Sequence, residues 1–354
     1  MLNFLTFVII LSILIIVHEF GHFIVARRSG VKVERFSIGF GPILFKRKGK
    51  ETDFLICLFP LGGYVKMAGD SRPDFHGLGY EFLAKPVKTK IKIVFAGPLF
   101  NYIFAFVLFW CIAVIGFPYA EPVVGKLKDG YPAEVAGVQE NDRILSVNDK
   151  NVEYWTDMTK LIRKSKEKVS LRIERNGKII LLSVPLTNTE LGDEFGRKKM
   201  VSVIGIEPSF SVKIVKYGFF RGFLKAIDEL FSLTFMIIQG FILMILGVLP
   251  VKEAVAGPLG IYYITSEAMK VGIVAILHLM AVLNVSLAII NLVPLPLFDG
   301  GHIFIFLLEK IRKRPISDES EERLTRLGYV IIIVLVLFVF YNDVLKFGSK
   351  IWGK

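Results

Sequence analysis

Cysteine is almost missing from this 354-residue chain: Cys57 and Cys111 are the only two, and the second lies in an apolar run. No disulfide framework is therefore expected, and the redox compartment is left open. Acidic residues are also in deficit, 32 against 44 Lys and Arg, for a formal net charge of +12. That excess would suit nucleic acid, but the basic residues cluster between apolar segments, as in the cytoplasmic loops of a membrane protein. No nucleic acid is expected as a partner. The first segment lacks a basic leader region and a small-residue cleavage site, so it reads as a retained helix rather than a signal peptide. Apolar residues, by contrast, are abundant: 53% of the chain, with 31 Phe, and a mean hydropathy of +0.56. An ordinary soluble domain is excluded, and a polytopic protein in contact with the lipid bilayer is expected.

Histidine is scarce, five in all, and two of the five fall in one pentapeptide, His18-Glu19-Phe20-Gly21-His22, at the end of the charge-free run Leu2 to Val17. On a helix, the i, i+4 spacing puts both imidazoles on one face with the carboxylate between them, which is the zinc-hydrolase pattern. Ionisable groups inside an apolar helix long enough to span a bilayer cost several kcal/mol and mark a functional site. His18 and His22 are therefore candidate ligands and Glu19 a candidate general base. His76 and His278 have no supporting pattern and read as surface or structural residues.

Arg27 and Arg28 place the far end of the first helix in the cytoplasm and the N-terminus outside. Ser29 to Lys92 reads as strands and hairpins at the membrane surface, the best candidates being Phe36 to Phe40 and Phe54 to Leu58. The apolar loop Leu61 to Met67, with Gly63 and Tyr64, offers an extended edge to which an unwound peptide can add, with a surface hairpin of no substrate role as an equal reading. Val94 to Phe117 is a second spanning run, and Asn101 near its start is a candidate substrate-binding residue, with interhelical packing as the alternative.

Glu121 to about Leu186 is the most conventionally soluble stretch. It reads as a strand at Val123 to Leu127, a short helix from Pro132 to Gly137 and a strand within Asn141 to Asn148. An amphipathic helix follows from Thr156 to Lys166 with Thr156 as candidate cap, then a hairpin about Asn176-Gly177. Its Pro132-Ala133, Ala136-Gly137, Asp142 and Asn148 resemble the pattern of a PDZ domain, with Asn141 where Gly is usual. The resemblance implies strand-addition recognition of peptides, with steric screening of bulky proteins as an equal reading.

Further charge-free runs cover Leu230 to Val251, Val271 to Phe298 and Leu327 to Asn342. Five crossings would put Lys310, Arg312, Lys313 and Arg314 outside, against the positive-inside rule. Treating 230–251 as interfacial or re-entrant leaves about four transmembrane helices with both termini outside. The second constellation runs from Asn291 to His302 and contains Pro294, Pro296, Asp299, Gly300 and Gly301. Two prolines in an apolar stretch force a kinked or unwound segment, which a membrane accepts only where it faces protein or a polar cavity. Asp299 at its end can complete a two-histidine, one-acid zinc site with the fourth position open to water. His302 is a rival ligand.

In this order, His18-Glu19-x-x-His22, Gly97-Pro98-x-x-Asn101, a PDZ-like insert and Asn291-x-x-Pro294-x-Pro296-x-x-Asp299-Gly300 resemble the site-2 protease family of intramembrane zinc metalloproteases. Within that family the chain resembles the bacterial regulator-of-sigma-E protease type. The likeness covers nearly the whole chain, with Phe298 where the family often has Leu, and with one PDZ-like insert where some members have two. It implies a bacterial inner-membrane, multi-pass enzyme with its active site near the cytoplasmic side and the insert in the periplasm. The implied substrates are single-pass membrane proteins, such as a trimmed anti-sigma factor or remnant signal peptides, with Asn291 as a further candidate substrate contact. The expected layout is a first transmembrane helix at 1–28, a cytoplasmic or membrane-surface β region at 29–93 and a second helix at 94–118. The periplasmic PDZ-like domain follows at 119–188, then a linker with an amphipathic or re-entrant segment at 189–270. The third helix with its proline motif is expected at 271–309, a basic cytoplasmic loop at 310–326 and the fourth helix at 327–347. Two other classes fit parts of the pattern. A metal-binding transporter would use intramembrane His and Asp, but the hydrophobic segments lack a two-fold repeat. A PDZ-bearing scaffold has no use for Glu19.

Overall fold

The computed structural model describes residues 2–192, 198–314 and 316–352. Residues 193–197 of the expected linker and Pro315 of the expected basic loop lie outside them. The chain divides into two compact units: Met1–Ile112, Arg221–Ile242 and Val255–Lys354 form one, and Ala113–Phe220 with Leu243–Ala254 the other. Among the described residues, five helices are long and apolar enough to cross a membrane.

The first unit opens with α1 (Leu2–Arg28), 27 residues and so about 40 Å long. It stops where Gly30 takes a left-handed φ of 69° and the Val31 N–H folds back to the Ala26 carbonyl at 3.0 Å. The strands β1 (Val33–Lys48) and β2 (Asp53–Met67) pair antiparallel, and β2 doubles back, so that Ile38 lies opposite both Ile56 and Gly63. The Ser12 hydroxyl donates to the Pro60 carbonyl at 2.9 Å and ties this bend of β2 to α1. The far end of the hairpin leaves Ile43, Leu44, Phe45 and Phe59 exposed. The long helix α2 (Val87–Ile115) carries Pro98 inside it, which removes one donor from the helical ladder. Gly21 of α1 lies against the Ala96 backbone, and a Cβ there would collide with the Ala96 carbonyl. The two helices can approach this closely only at a glycine.

In the second unit, β3 (Phe117–Ala120) pairs with β12 (Val212–Val215), and β4 (Val124–Leu127) with β11 (Ile206–Pro208). Between them lie α3 (Pro132–Val135), β5 (Arg143–Val147), β6 (Lys150–Asn151), α4 (Trp155–Lys164), β7 (Lys168–Arg175) and β8 (Lys178–Pro185). The hairpin β9 (Thr187–Gly192) and β10 (Lys198–Val203) follows. The order β6-β5-β7-β8 makes one antiparallel sheet. Alternate residues of β7, Val169, Leu171 and Ile173, are fully buried against Met158 and Ile162 of α4, which sit one turn apart. Burying each such side chain contributes about 1.5–3 kcal/mol. The β7-β8 turn is Asn176-Gly177 with φ of 50° and 75°, as a two-residue hairpin requires. Asp142 is buried and bonded by Arg175 through Nε and Nη2, both at 2.7 Å, and this carboxylate holds the guanidinium pKa above its usual value. Thr156 does not cap α4: the cap position is Tyr154, without a side-chain bond, and Thr156 lies in the first turn, its carbonyl accepting from Thr159. The β structure also continues past the expected boundary at 188, to Val215.

The chain then forms α5 (Phe219–Ile245), the single turn α6 (Val251–Ala254), α7 (Pro258–Val271), α8 (Ile273–Asn291), α9 (Asp299–Arg312) and α10 (Asp318–Trp352). In the first unit, α5 meets α2 through a Tyr102–Thr234 hydroxyl bond of 2.9 Å and through Phe223 against Phe106 and Trp110. The fully buried carboxylate of Asp343 in α10 accepts the N–H groups of Gly257 and Gly260 at 3.0 and 2.9 Å, anchoring the start of α7. Tyr262 of α7 packs edge-on to Phe7 of α1. The stretch expected as one helix over 271–309 is two, α8 and α9, separated by residues 292–298 where Pro294 and Pro296 interrupt the ladder.

Candidate active site

The apolar run of α1 delivers His18 and His22 to one face of the helix, one turn apart, with ring centroids 4.8 Å apart and planes at 84°. The break after α8 delivers the acid. Leu297 is held at φ 83°, an unfavourable conformation for a branched side chain, and Asp299 becomes the first residue of α9. Gly300 and Gly301 let this bend fold tightly, since a Cβ on either would collide with the carbonyls of Leu292 or Leu295. The result is a cluster assembled from residues 277 or more apart in sequence, 299 less 22. His18 Nε2 lies 3.2 Å from Asp299 Oδ2, His22 Nε2 lies 3.6 Å from Asp299 Oδ1, and the two Nε2 atoms are 3.2 Å apart.

These three residues offer one donor atom each, all within 4.8 Å of one another, and form a group able to hold a metal ion. The surroundings fit one. His22 Nδ1 donates to the Ile93 carbonyl at 2.9 Å, so its Nε2 is the bare nitrogen, directed at Asp299. His18 Nδ1 is engaged by the Asn101 amide at 3.3 Å, so its Nε2 also turns inward. Asp299 Oδ2 is buried and has no hydrogen-bond donor among the described residues, an arrangement costly for a carboxylate unless a cation meets it. Two imidazoles and one carboxylate are the donor set that suits zinc, with a fourth position left for water or substrate.

Gly97 of α2 sits directly under the rings, where a Cβ would collide with His22 Nε2 and meet Cε1 of both histidines. Glu19 points to the other side of α1, toward the hairpin. Its carboxylate receives the backbone N–H of Val65 in β2, and its Cγ is 3.3 Å from where a Gly63 Cβ would be. A half-open cavity of about 210 Å³ is lined by Ile15, His18, Glu19, Phe40, Gly62, Gly63, Leu287 and Asn291.

The structure thus gathers His18, Glu19, His22 and Asp299 at one place, with Gly63 and Asn291 in the cavity wall beside them. Tyr64 is next to that wall, stacked on Phe40 with centroids 6.1 Å apart. Asn101 does not line the cavity: it is fully buried behind His18. His302 is outside the metal-binding group found among the described residues, its ring lying against Phe306. His76 and His278 are likewise outside it, His278 packing edge-on to Phe109. The Val65 N–H, the Ile93 carbonyl and the space over Gly97 were not readable in advance, because each depends on backbone brought in from a distant element. The Gly97-Pro98-x-x-Asn101 motif was the one available signal.

Comparison with known proteins agrees with this geometry. Residues 6–335 match the profile of Peptidase family M50. A Campylobacter jejuni protein, Cj1068, provisionally named a zinc metalloprotease, is 36% identical, with 100% of this chain and 95% of its own length aligned. The regulator of sigma-E protease RseP of Escherichia coli is 29% identical over 97% of this chain and 99% of its own. The zinc metalloprotease RasP of Oceanobacillus iheyensis is 28% identical over 97% and 99%. The chain therefore belongs to peptidase family M50, the site-2 proteases.

Proposed function

We propose that this metalloprotease hydrolyses peptide bonds within or near transmembrane segments of other membrane proteins, with His18, His22 and Asp299 holding zinc and Glu19 as the general base. The observation that carries the reading is the convergence of three donor atoms within 4.8 Å, two of them on a helix apolar enough to span a bilayer, with a carboxylate beside them facing a cavity. The chemistry that zinc supplies at such a site is Lewis acidity, which brings the pKa of water down to about 7. Glu19 takes a proton from the attacking water and passes it to the leaving amine, and the Val65 N–H keeps its carboxylate in position. A transmembrane helix hides its scissile bonds in its own hydrogen-bond ladder, so the substrate has to unwind first. The Gly63-Tyr64 edge of β2 is suited to receive the extended segment as an added strand, with Asn291 opposite in the cavity wall.

The finer organisation belongs to the same proposal. Residues 117–215 act as a PDZ-like domain, and a cavity of about 210 Å³ between α4 and the Ser202 to Pro208 stretch is the groove suited to a peptide. Four crossings, by α1, α2, α8 and α10, keep Lys310 to Arg314 in the cytoplasm and both termini outside. The contacts of Gly257 and Gly260 with Asp343, and of Tyr262 with Phe7 near the start of α1, support a return of the chain after α5 to the side it came from. In a bacterial inner membrane this orientation sets the PDZ-like domain in the periplasm. The substrates it suits are single-pass proteins, such as a trimmed anti-sigma factor or remnant signal peptides.

The test is Glu19→Gln in the full chain, reconstituted with a single-pass substrate. The variant is expected to retain bound zinc and to lose cleavage by a factor of at least about 100. Cleavage at the unaltered rate would refute the assignment.

A further inference from the structure

We propose that Asn101 is a positioning residue: its amide sets which ring nitrogen of His18 is free to bind the metal. The inference rests on the reading of His18 as a ligand and goes beyond it, because Asn101 neither lines the cavity nor reaches Asp299. The side chain is fully buried, its Nδ2 is 3.3 Å from His18 Nδ1, and its Oδ1 is buried with no partner among the described residues.

The two histidines are supported differently. The ring of His22 faces the Ile93 carbonyl, which can only accept, so its proton is fixed on Nδ1 and its Nε2 is always bare. The ring of His18 faces an amide, which offers a donor on one end and an acceptor on the other. With the NH₂ end on Nδ1, that nitrogen has to be bare, so the proton sits on Nε2 and the ring cannot ligate. A half-turn of the amide brings the unpartnered Oδ1 onto Nδ1–H and leaves Nε2 bare toward Asp299. Asn101 thereby serves both tautomers of His18, and its oxygen end defines the metal-ready one. Residues that orient ligating histidines in this way are typically worth 10- to 100-fold in metal affinity.

The experiment is competition for zinc between a chromophoric chelator and the purified full chain in detergent, which needs no proteolytic turnover. Asn101→Leu keeps the volume and removes both ends of the amide. It is expected to weaken zinc binding about 10- to 100-fold. Asn101→Asp retains only acceptors and is expected to bind at least as tightly as the unaltered chain. Should Asn101→Leu fail to give a monodisperse peak on size exclusion, Asn101→Ala takes its place with the same expectation. Zinc affinity within twofold of the unaltered chain in the apolar variant, while His22→Ala abolishes binding, overturns the proposal and leaves the proteolytic reading intact. Equal losses in the Asp and apolar variants also overturn it, because they would mark Asn101 as packing. Absence of zinc binding by the unaltered chain refutes both readings together.

Discussion

At the scale of single residues, the site depends as much on what is missing as on what is present. Gly97 provides the floor beneath both imidazoles, and an added methyl has no free space there. Gly97→Ala is therefore expected to displace His18 and His22 and to lower zinc affinity about tenfold, since forcing a methyl into occupied space costs about 1–3 kcal/mol and about 1.4 kcal/mol is a factor of ten. Equilibrium dialysis of the variant against zinc checks this, and unchanged affinity would mean the rings sit elsewhere. The four side chains proposed to act were readable from the sequence because each belongs to a local pattern: i, i+4 on an apolar helix, and an acid after two prolines. Asn101 was flagged for its polarity at membrane depth, but its partner, a histidine 83 positions earlier, is a product of helix packing at Gly21 and Ala96.

At the scale of elements, the hairpin and α1 form one device. Ser12 holds the bend of β2 at Pro60, the Val65 N–H holds Glu19, and Gly63 leaves the gap between them into which the cavity extends. A Cβ at Gly63 would approach the Ser37 carbonyl at 2.9 Å and Glu19 Cγ at 3.3 Å. Gly63→Ala is accordingly expected to crowd the base and lower kcat about tenfold, the equivalent of roughly 1.4 kcal/mol, while zinc content stays at its normal level. Loss of zinc together with activity would argue against this division of labour. Strand pairing of this region was legible from alternation, whereas the doubling back of β2, which presents Gly63 and Val65 to α1, was not. It is set by a tertiary bond from Ser12 that no local pattern encodes. The cap of α4 was misread for a related reason: Thr is a good capping residue, but the buried pair Met158 and Ile162 fixes the helix phase and draws its start back to Trp155.

At the scale of the whole molecule, the unsettled count in the sequence was α5, whose 27 residues are long enough to cross and whose charges all lie between Arg221 and Glu229, in its first half. If the chain returns to its starting side after α5, Lys252 faces the periplasm. An impermeant thiol reagent is then expected to label Lys252→Cys, in a background lacking Cys57 and Cys111, from outside intact cells. Labelling only after the cytoplasmic side is opened would require five crossings. Hydropathy marked every long helix but could not decide this, since length and composition are the same for a helix that passes through and one that turns back. Both halves of the reacting cluster belong to the first unit, while Ala113–Phe220 is spliced between them. Severing the backbone once inside that insert, for instance at the exposed Asp149-Lys150 turn, is therefore expected to yield two co-expressed pieces that find each other and still digest substrate. Recovery of proteolysis from such a pair, assayed against each piece alone, would mark the enzyme as a complementing assembly whose continuity of chain is dispensable.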